Sequence, residues 1–175
     1  MIKKSNEAEL LAIEQVANLM AAAARTAPKT RGIDNIQTLI LTDNDIKKLI
    51  LKMHEIAKRD NRPSCERDAK TLENVKVCVV IATKIEPAGL NCGFCGFKTC
   101  DELKSKGGAC AYNSMDLGIA LSSTAEIANK FHIDNRLMFS IGKAALELGL
   151  FDKEARQAIG IPLSASGKNI FFDRK

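Results

Sequence analysis

Four thiols stand at Cys92, Cys95, Cys100 and Cys110, a C-x2-C-x4-C-x9-C spacing that begins in the stretch NCGFCGFKTC. Thiolates are soft ligands that select zinc, copper(I) or iron–sulfur clusters. Structural zinc sites usually combine two separate C-x2-C pairs, or cysteines with histidines. This chain offers one such pair followed by single cysteines, and neither His54 nor His132 stands near them. The short zinc knuckle, C-x2-C-x4-H-x4-C, would need His at position 100 and a shorter last gap. A four-iron cubane is a larger body, which a compact loop wraps from several sides while a later cysteine closes the cage. Gly89, Gly93, Gly96, Gly107 and Gly108 allow the backbone to approach and offer N–H groups to sulfur, and Phe94 and Phe97 can exclude water. The spacing therefore favours a 4Fe–4S cluster on the four cysteines, with a zinc ion or uncommitted redox thiols as alternatives. Cys78 reads as a small buried hydrophobe within a strand and Cys65, in a polar stretch, as a loosely exposed thiol.

The elements that must position these thiols follow from periodicity. Residues 6–25 predict a helix with Leu10, Ile13, Ala17, Met20 and Ala24 on one face and Asn6 with Glu9 at its start. Pro28 and Gly32 then impose a loop, TAPKTRGIDN. IQTLILT, 36–42, reads as a buried strand, and 43–60 as a helix with Ile46, Leu49, Ile50, Met53 and Ile56 inward. After a break at DNRPS and a short helical stretch, VKVCVVIATK, 75–84, has the continuous Val/Ile content of a strand covered on both faces. Beyond the cysteines, residues 113–133 predict a long buried helix, RLMFSIG a third strand and KAALELGLFD a short helix. The tail GIPLSASGKNIFFDRK reads as irregular or extended. Strands alternating with helices indicate a three-layer α/β or α+β arrangement. His54 reads as solvated and His132 as a partner of a helix end.

Composition narrows the function. The 175 residues suffice for one domain with a full core. The net charge of +5 is scattered, and one Tyr with no Trp leaves little for base stacking, so no nucleic-acid role is expected. Glu7, Glu9 and Glu14 interrupt any apolar signal stretch, and no run is long enough to span a bilayer, so no membrane role is expected either. A cytoplasmic setting, where thiols stay reduced, is the expectation. No Walker loop, paired carboxylates or Ser/His/Asp set supports a kinase or hydrolase.

CGFCGFKTC with Cys110 resembles the four-cysteine 4Fe–4S module of corrinoid/iron–sulfur proteins and related electron carriers, whose last gap is usually longer. The whole chain resembles a bacterial and archaeal family described as containing a ferredoxin domain, through AARTAPKTRGIDNI, the cysteine loop, MDLGIALSSTAEIA and GIPLSASGKNIFFDR. A second similarity is to the flavin-dependent nitroreductases. Ala27-Pro28-Lys29 and Asn35-Ile36-Gln37 stand in the order of that family's Ala-Pro-Ser and Asn-x-Gln, and DLGIALSS and FSIG have counterparts in its later helix and strand. Its Arg-Arg-Ser motif has no match here, and Lys29 replaces the usual Ser. The resemblance implies a nitroreductase-like domain over 1–175 with a cluster loop, 87–111, inserted after the second strand. It also implies FMN, its phosphate neutralised by Arg25, Lys29 and Arg31 and its ring or ribityl chain bonded by Asn35 and Gln37. A homodimer completed by the apolar tail is implied as well. The resulting expectation is an iron–sulfur oxidoreductase or electron-transfer protein, with Lys98, Lys104 and Lys106 attracting an acidic, ferredoxin-like partner. A non-enzymatic cluster or metal-binding module is the alternative.

Overall fold

VCVVIATK forms the strand from which both cores grow: all its residues but the last are buried. A computed structural model describes residues 2–172. In chain order its elements are α1 (Ser5–Thr26), a 3-10 turn (Thr30–Gly32), β1 (Ile36–Thr42), α2 (Asp43–Arg59), α3 (Pro63–Leu72), β2 (Val77–Lys84), α4 (Cys100–Ser105), α5 (Ala111–Lys130), β3 (Asp134–Asn135), α6 (Phe139–Glu147) and β4 (Ala155–Ser164). The strands pair antiparallel in the order β1-β2-β4-β3.

Side chains alternate across a strand, and here each set meets its own helical layer. Val77, Val79 and Ile81 pack with α1 and α5, against Met20, Ala24, Ala120 and Ala128. Cys78, Val80 and Ala82 pack with α2, α3 and α6, against Leu49, Met53, Leu72 and Ile141. The sheet is thus covered on both faces although every pairing is antiparallel, and the fold is a mixed helix-and-sheet, three-layer arrangement as expected. The helical period of 43–60 also holds: Ile46, Leu49, Met53 and Ile56 are buried, with Ile50 at the margin. In α1, Val16 joins the buried face while Leu10 stays exposed, and the cap is Lys4 without a side-chain bond rather than Asn6.

Other expectations are corrected. RLMFSIG is not a strand: only Met138 bridges to Gly160, and α6 begins at Phe139 and runs into the segment read as a separate helix, ending at Glu147. Ile141, Ala144 and Ala145 recur at helical spacing and are fully buried. The tail, read as irregular or extended, is extended at its start, where residues 160–164 end β4 between β2 and β3. Gly160 exchanges both its backbone bonds outward with Met138. By the two-residue alternation, the missing N–H of Pro162 also faces away from β2 and costs no bond there. Further on, Phe171 is fully buried in the chain's own core while Phe172 beside it is exposed; residues 173–175 lie outside the described residues. Finally, Cys65 is fully buried in α3, and burial pushes its thiol pKa up. His54 is half-buried and pairs through Nδ1 with Glu66 at 2.6 Å, joining α2 to α3. Among the described residues no helix is long and apolar enough to cross a membrane.

Contact between α6 and β4 depends on missing side chains. A Cβ on Gly142 would lie 1.8 Å from the Ala158 carbonyl oxygen, and one on Gly160 would lie 2.1 Å from Ile141. By contrast, a Cβ on Gly118 of α5 would meet nothing within 4 Å. Gly142→Ala should therefore destabilise the fold by about 1–3 kcal/mol through forced separation of helix and strand. Gly118→Ala should be neutral or stabilise by up to about 1 kcal/mol through helix propensity. Urea denaturation of both variants checks the contrast, and equal effects would contradict it.

Candidate metal centre

The segment between β2 and α5 is fastened near both ends to the first turns of α5. At its start the Glu86 amide donates to Oδ1 of Asn113, a residue only 3% exposed, at 3.1 Å. Two residues on, Arg31 donates to the Ala88 carbonyl at 2.8 Å. At its end Cys110 caps α5, its carbonyl accepting from the Asn113 and Ser114 amides.

Between these fixed points the chain turns through left-handed conformations. Gly93 and Gly96 have φ of 76° and 83°, and the Gly96 amide donates to the Gly93 carbonyl at 2.9 Å. Asn91, at φ 47°, is the non-glycine residue type that best tolerates this region. Its Oδ1 accepts from the Cys100 amide at 2.7 Å, while its own amide donates to Cys100 Sγ at 3.4 Å. This two-way clasp fixes Cys100 beside Cys92. Asn91 was not singled out from the sequence; the available signal was an Asn placed directly before the first cysteine, in a stretch punctuated by glycines.

Cys100 is also the first residue of α4. Thr99 caps that helix by accepting from the Glu102 amide at 3.1 Å, and Glu102 accepts in return from the Lys98 amide at 3.1 Å. The arrangement is a capping box displaced by one residue.

All four predicted cysteines, Cys92, Cys95, Cys100 and Cys110, line one hollow. Leu90, Phe97, Leu103 and Tyr112 contribute apolar surface around them. Exposure is graded: Cys92 is exposed, Cys95 and Cys100 are half-buried and Cys110 is buried. Phe97 belongs to the lining, whereas Phe94 lies outside it, exposed and stacked on Tyr112 with ring centroids 5.8 Å apart. Gly108 brings the returning chain against this wall, since a Cβ there would lie 2.5 Å from Leu103 and 3.2 Å from Phe97. Among the described residues no three Cys, His, Asp or Glu side chains converge as ligands of a single metal ion. Four sulfurs around a common hollow, with apolar walls, are a donor set suited to a thiolate-ligated cluster. Cys65 and Cys78 lie elsewhere, in the core, where burial pushes the Cys78 thiol up to about 12.

The five residues considered for a flavin stand around the end of α1 and the start of β1, and each has a partner within the chain. Lys29 Nζ donates to the carbonyls of Ala24, Arg25 and Ala27, and its side chain is 6% exposed. Arg25 pairs with Asp34 and donates to the Ile36 carbonyl. Arg31 holds Ala88. The Asn35 carbonyl accepts from the Lys84 amide, and the Gln37 side chain exchanges two hydrogen bonds with Asp152. A ligand at these side chains would have to displace the contacts of Arg25, Lys29, Arg31 and Gln37. The lysines proposed to meet a redox partner, Lys98, Lys104 and Lys106, are all exposed, and Lys104 pairs with Glu86 at 3.2 Å.

Comparison with known proteins places this site in context. A family model described as "Uncharacterized protein containing a ferredoxin domain" matches residues 106–174, a stretch that includes Cys110 but not the three earlier cysteines. A protein of Archaeoglobus fulgidus, described as uncharacterized, is 36% identical over 171 residues, covering 93% of this chain and 91% of its own. Solved structures share the fold. A nitroreductase with bound FMN from Desulfitobacterium hafniense has 12% identity and a TM-score of 0.62, covering 89% of this chain and 79% of that one. A Lactococcus lactis nitroreductase in complex with nicotinic acid also has 12% identity, a TM-score of 0.61 and coverage of 98% and 86%. The nitroreductase-like scaffold read from the sequence is therefore the observed one.

Graded exposure predicts graded reactivity. In the reduced, chelator-treated chain, iodoacetamide should modify Cys92 first and Cys110 last of the four, and should reach Cys65 and Cys78 only on unfolding. Peptide mass spectrometry over a time course measures this. Labelling of Cys65 as fast as Cys92 in the native chain would show the assignment of burial to be wrong.

Proposed function

The chain belongs to the family of proteins containing a ferredoxin domain, and from that premise we propose that it is an iron–sulfur redox protein whose 4Fe–4S cluster is held by Cys92, Cys95, Cys100 and Cys110. One observation carries the reading: thiols from the loop, the start of α4 and the start of α5 face one hollow with apolar walls. A single tetrahedral ion would draw its ligands to one point, at about 2.3 Å for each sulfur. A cluster several atoms across sets its ligands further apart, so thiols from separate elements around one hollow can reach it. Bound there, a 4Fe–4S cluster supplies one-electron transfer. The chain's own residues supply the rest: Asn91 orients Cys100, Gly93 and Gly96 turn the backbone, and Phe97 and Leu103 keep water from the sulfurs. In this reading residues 87–111 are a cluster loop set between β2 and α5 of a nitroreductase-like scaffold.

Electron transfer to a partner, rather than a purely structural role, is favoured by the exposed outer edge at Cys92 and by the exposed Lys98, Lys104 and Lys106 of the same loop. Those cations suit an acidic, ferredoxin-like carrier. The FMN held by a structural relative belongs to that protein. Here four of the five flavin candidate side chains are engaged internally, so the proposed redox role rests on the thiols.

Anaerobically purified protein should contain about four irons and four sulfides per chain, the composition of one such cluster. Cys→Ala at any of the four positions should remove most of both, while Cys78→Ala should leave them in place. Zinc without sulfide would overturn the cluster and leave the metal-module alternative. Second, reduction by a low-potential acidic ferredoxin should slow severalfold between about 0.05 and 0.5 M salt, as exposed charges are screened. A triple Lys→Glu variant at 98, 104 and 106 should be slow at all salt concentrations. A rate indifferent to both changes would remove the docking role from these lysines.

A further inference from the structure

The outer edge of β4 is paired only toward its C-terminal end. Asp134 and Asn135 pair with Ser164 and Leu163, Met138 bridges Gly160, and among the described residues no strand continues alongside Ala155–Ile159. An open groove of about 600 Å³ runs there, floored by residues 156–159 and walled by α5 and α6. Leu117, Leu121, Phe139, Leu146 and Ile159 are among its apolar lining. Gly118 adds width, because a side chain at that position would project into open space. The rim residues Lys143 and Glu147 pair at 3.0 Å within an ion-pair group that includes Arg59 and Asp60.

Arg156 belongs both to this groove and to a second hollow of about 460 Å³ against the cysteine loop. There Lys104 and Lys153 join it across the bare backbone of Gly107 and Gly108, with Glu154 as the opposing carboxylate. Lys104 is held by Glu86, but among the described residues Arg156 and Lys153 have no ion-pair partner. An apolar trough therefore opens, through one uncommitted guanidinium, onto a cationic hollow.

We propose that these two hollows form one binding site for an amphipathic organic anion, its flat apolar body in the groove between α5 and α6 and its carboxylate, sulfonate or phosphate on Arg156 and Lys153. Charge complementarity selects the anion, and the apolar walls select a ring system or short hydrocarbon body. Ser114, at the near end of the groove, lies one helical turn beyond Cys110, so the ligand sits beside the cysteine loop. Binding itself does not depend on the cluster reading; any exchange of electrons between the ligand and the thiol site does.

A matched pair of fluorescent probes separates the two parts of the site. 8-Anilinonaphthalene-1-sulfonate and the uncharged N-phenyl-1-naphthylamine share their rings and differ by the sulfonate. The purified full chain should bind the sulfonate about tenfold more tightly than the neutral probe, the scale of one well-placed charge-assisted contact. Arg156→Ala should bring the two affinities within about threefold, and Gly118→Phe should abolish binding of both by filling the groove. Circular dichroism confirms that both variants fold, and Gly118→Ala controls for loss of the glycine itself. Equal affinity for the two probes in the wild type, or sulfonate binding untouched by Gly118→Phe, would overturn the proposal. So would light scattering that shows a dimer dissociated by Gly118→Phe, since the groove would then be a contact between two copies.

Discussion

The site depends on how one buried carboxylate is satisfied. Asp116, 4% exposed in α5, accepts from the Thr30 amide through both oxygens, at 3.0 and 3.1 Å, and from the Thr30 hydroxyl at 2.8 Å. A carboxylate that deep is tolerable only with such donors, so the turn after α1 is drawn onto α5. With Thr30 fixed, its neighbour Arg31 is delivered to the Ala88 carbonyl at the head of the cysteine loop. One turn before Asp116, Asn113 holds the Glu86 amide, and three residues earlier stands Cys110. The first two turns of α5 thus collect the N-terminal turn, the start of the loop and the last thiol in one rigid body. Polar groups buried for structural reasons set where the sulfurs can be.

The packing that surrounds this hub works by close approach more than by bulk. Ala17, Ala24, Ala120 and Ala128 are fully buried in the layer formed by α1 and α5, and the Thr124 hydroxyl spends its proton on the Ala120 carbonyl at 2.7 Å. On the other face Gly142 and Gly160 let α6 lie directly on β4. At the corner where α2 meets α6, Arg59 bonds Glu147 through both guanidinium nitrogens at 2.9 Å. With Lys143 alongside, these bonds hold the Glu147 carboxyl down to about 2.

What could be read from the sequence was what local pattern encodes. The period of α2, the apolar run of β2 and the spacing of the cysteines are each set within about twenty residues; the helix and the strand stand where they were read, and the four cysteines line one hollow. β4 was missed because Gly160 and Pro162 argue against a strand locally, and only the outward register of Gly160 shows why they are harmless. Cys65 was misplaced because its charged neighbours face solvent while a single helical stripe, shared with Ala69 and Leu72, faces inward. Partners were illegible for the same reason. Gln37 finds Asp152 across 115 residues, and Lys29 folds back onto the helix that precedes it. Side-chain type announces what a residue can bond, whereas topology decides what it does bond.

None of residues 85–110 belongs to either core cluster: the clusters on the two faces of the sheet draw on α1–α3, the strands, α5, α6 and the closing segment. Leu103 and Cys110 are buried but outside both clusters. The scaffold therefore carries its stability without the loop, unlike small metal modules in which ligand binding and folding are one event. The loop has the opposite balance. Its order comes from the Asn91 clasp, the capping of α4, a few backbone turns and two anchors on α5 and Arg31, set against the entropy of fixing some twenty-five residues, about 1–2 kcal/mol each. Under the proposed cluster, four thiolate bonds would add enthalpy locally, including at the exposed end where Cys92 stands. A stable sheet bearing a loop of this kind would let such a site be assembled, lost and restored without unfolding the protein that presents it.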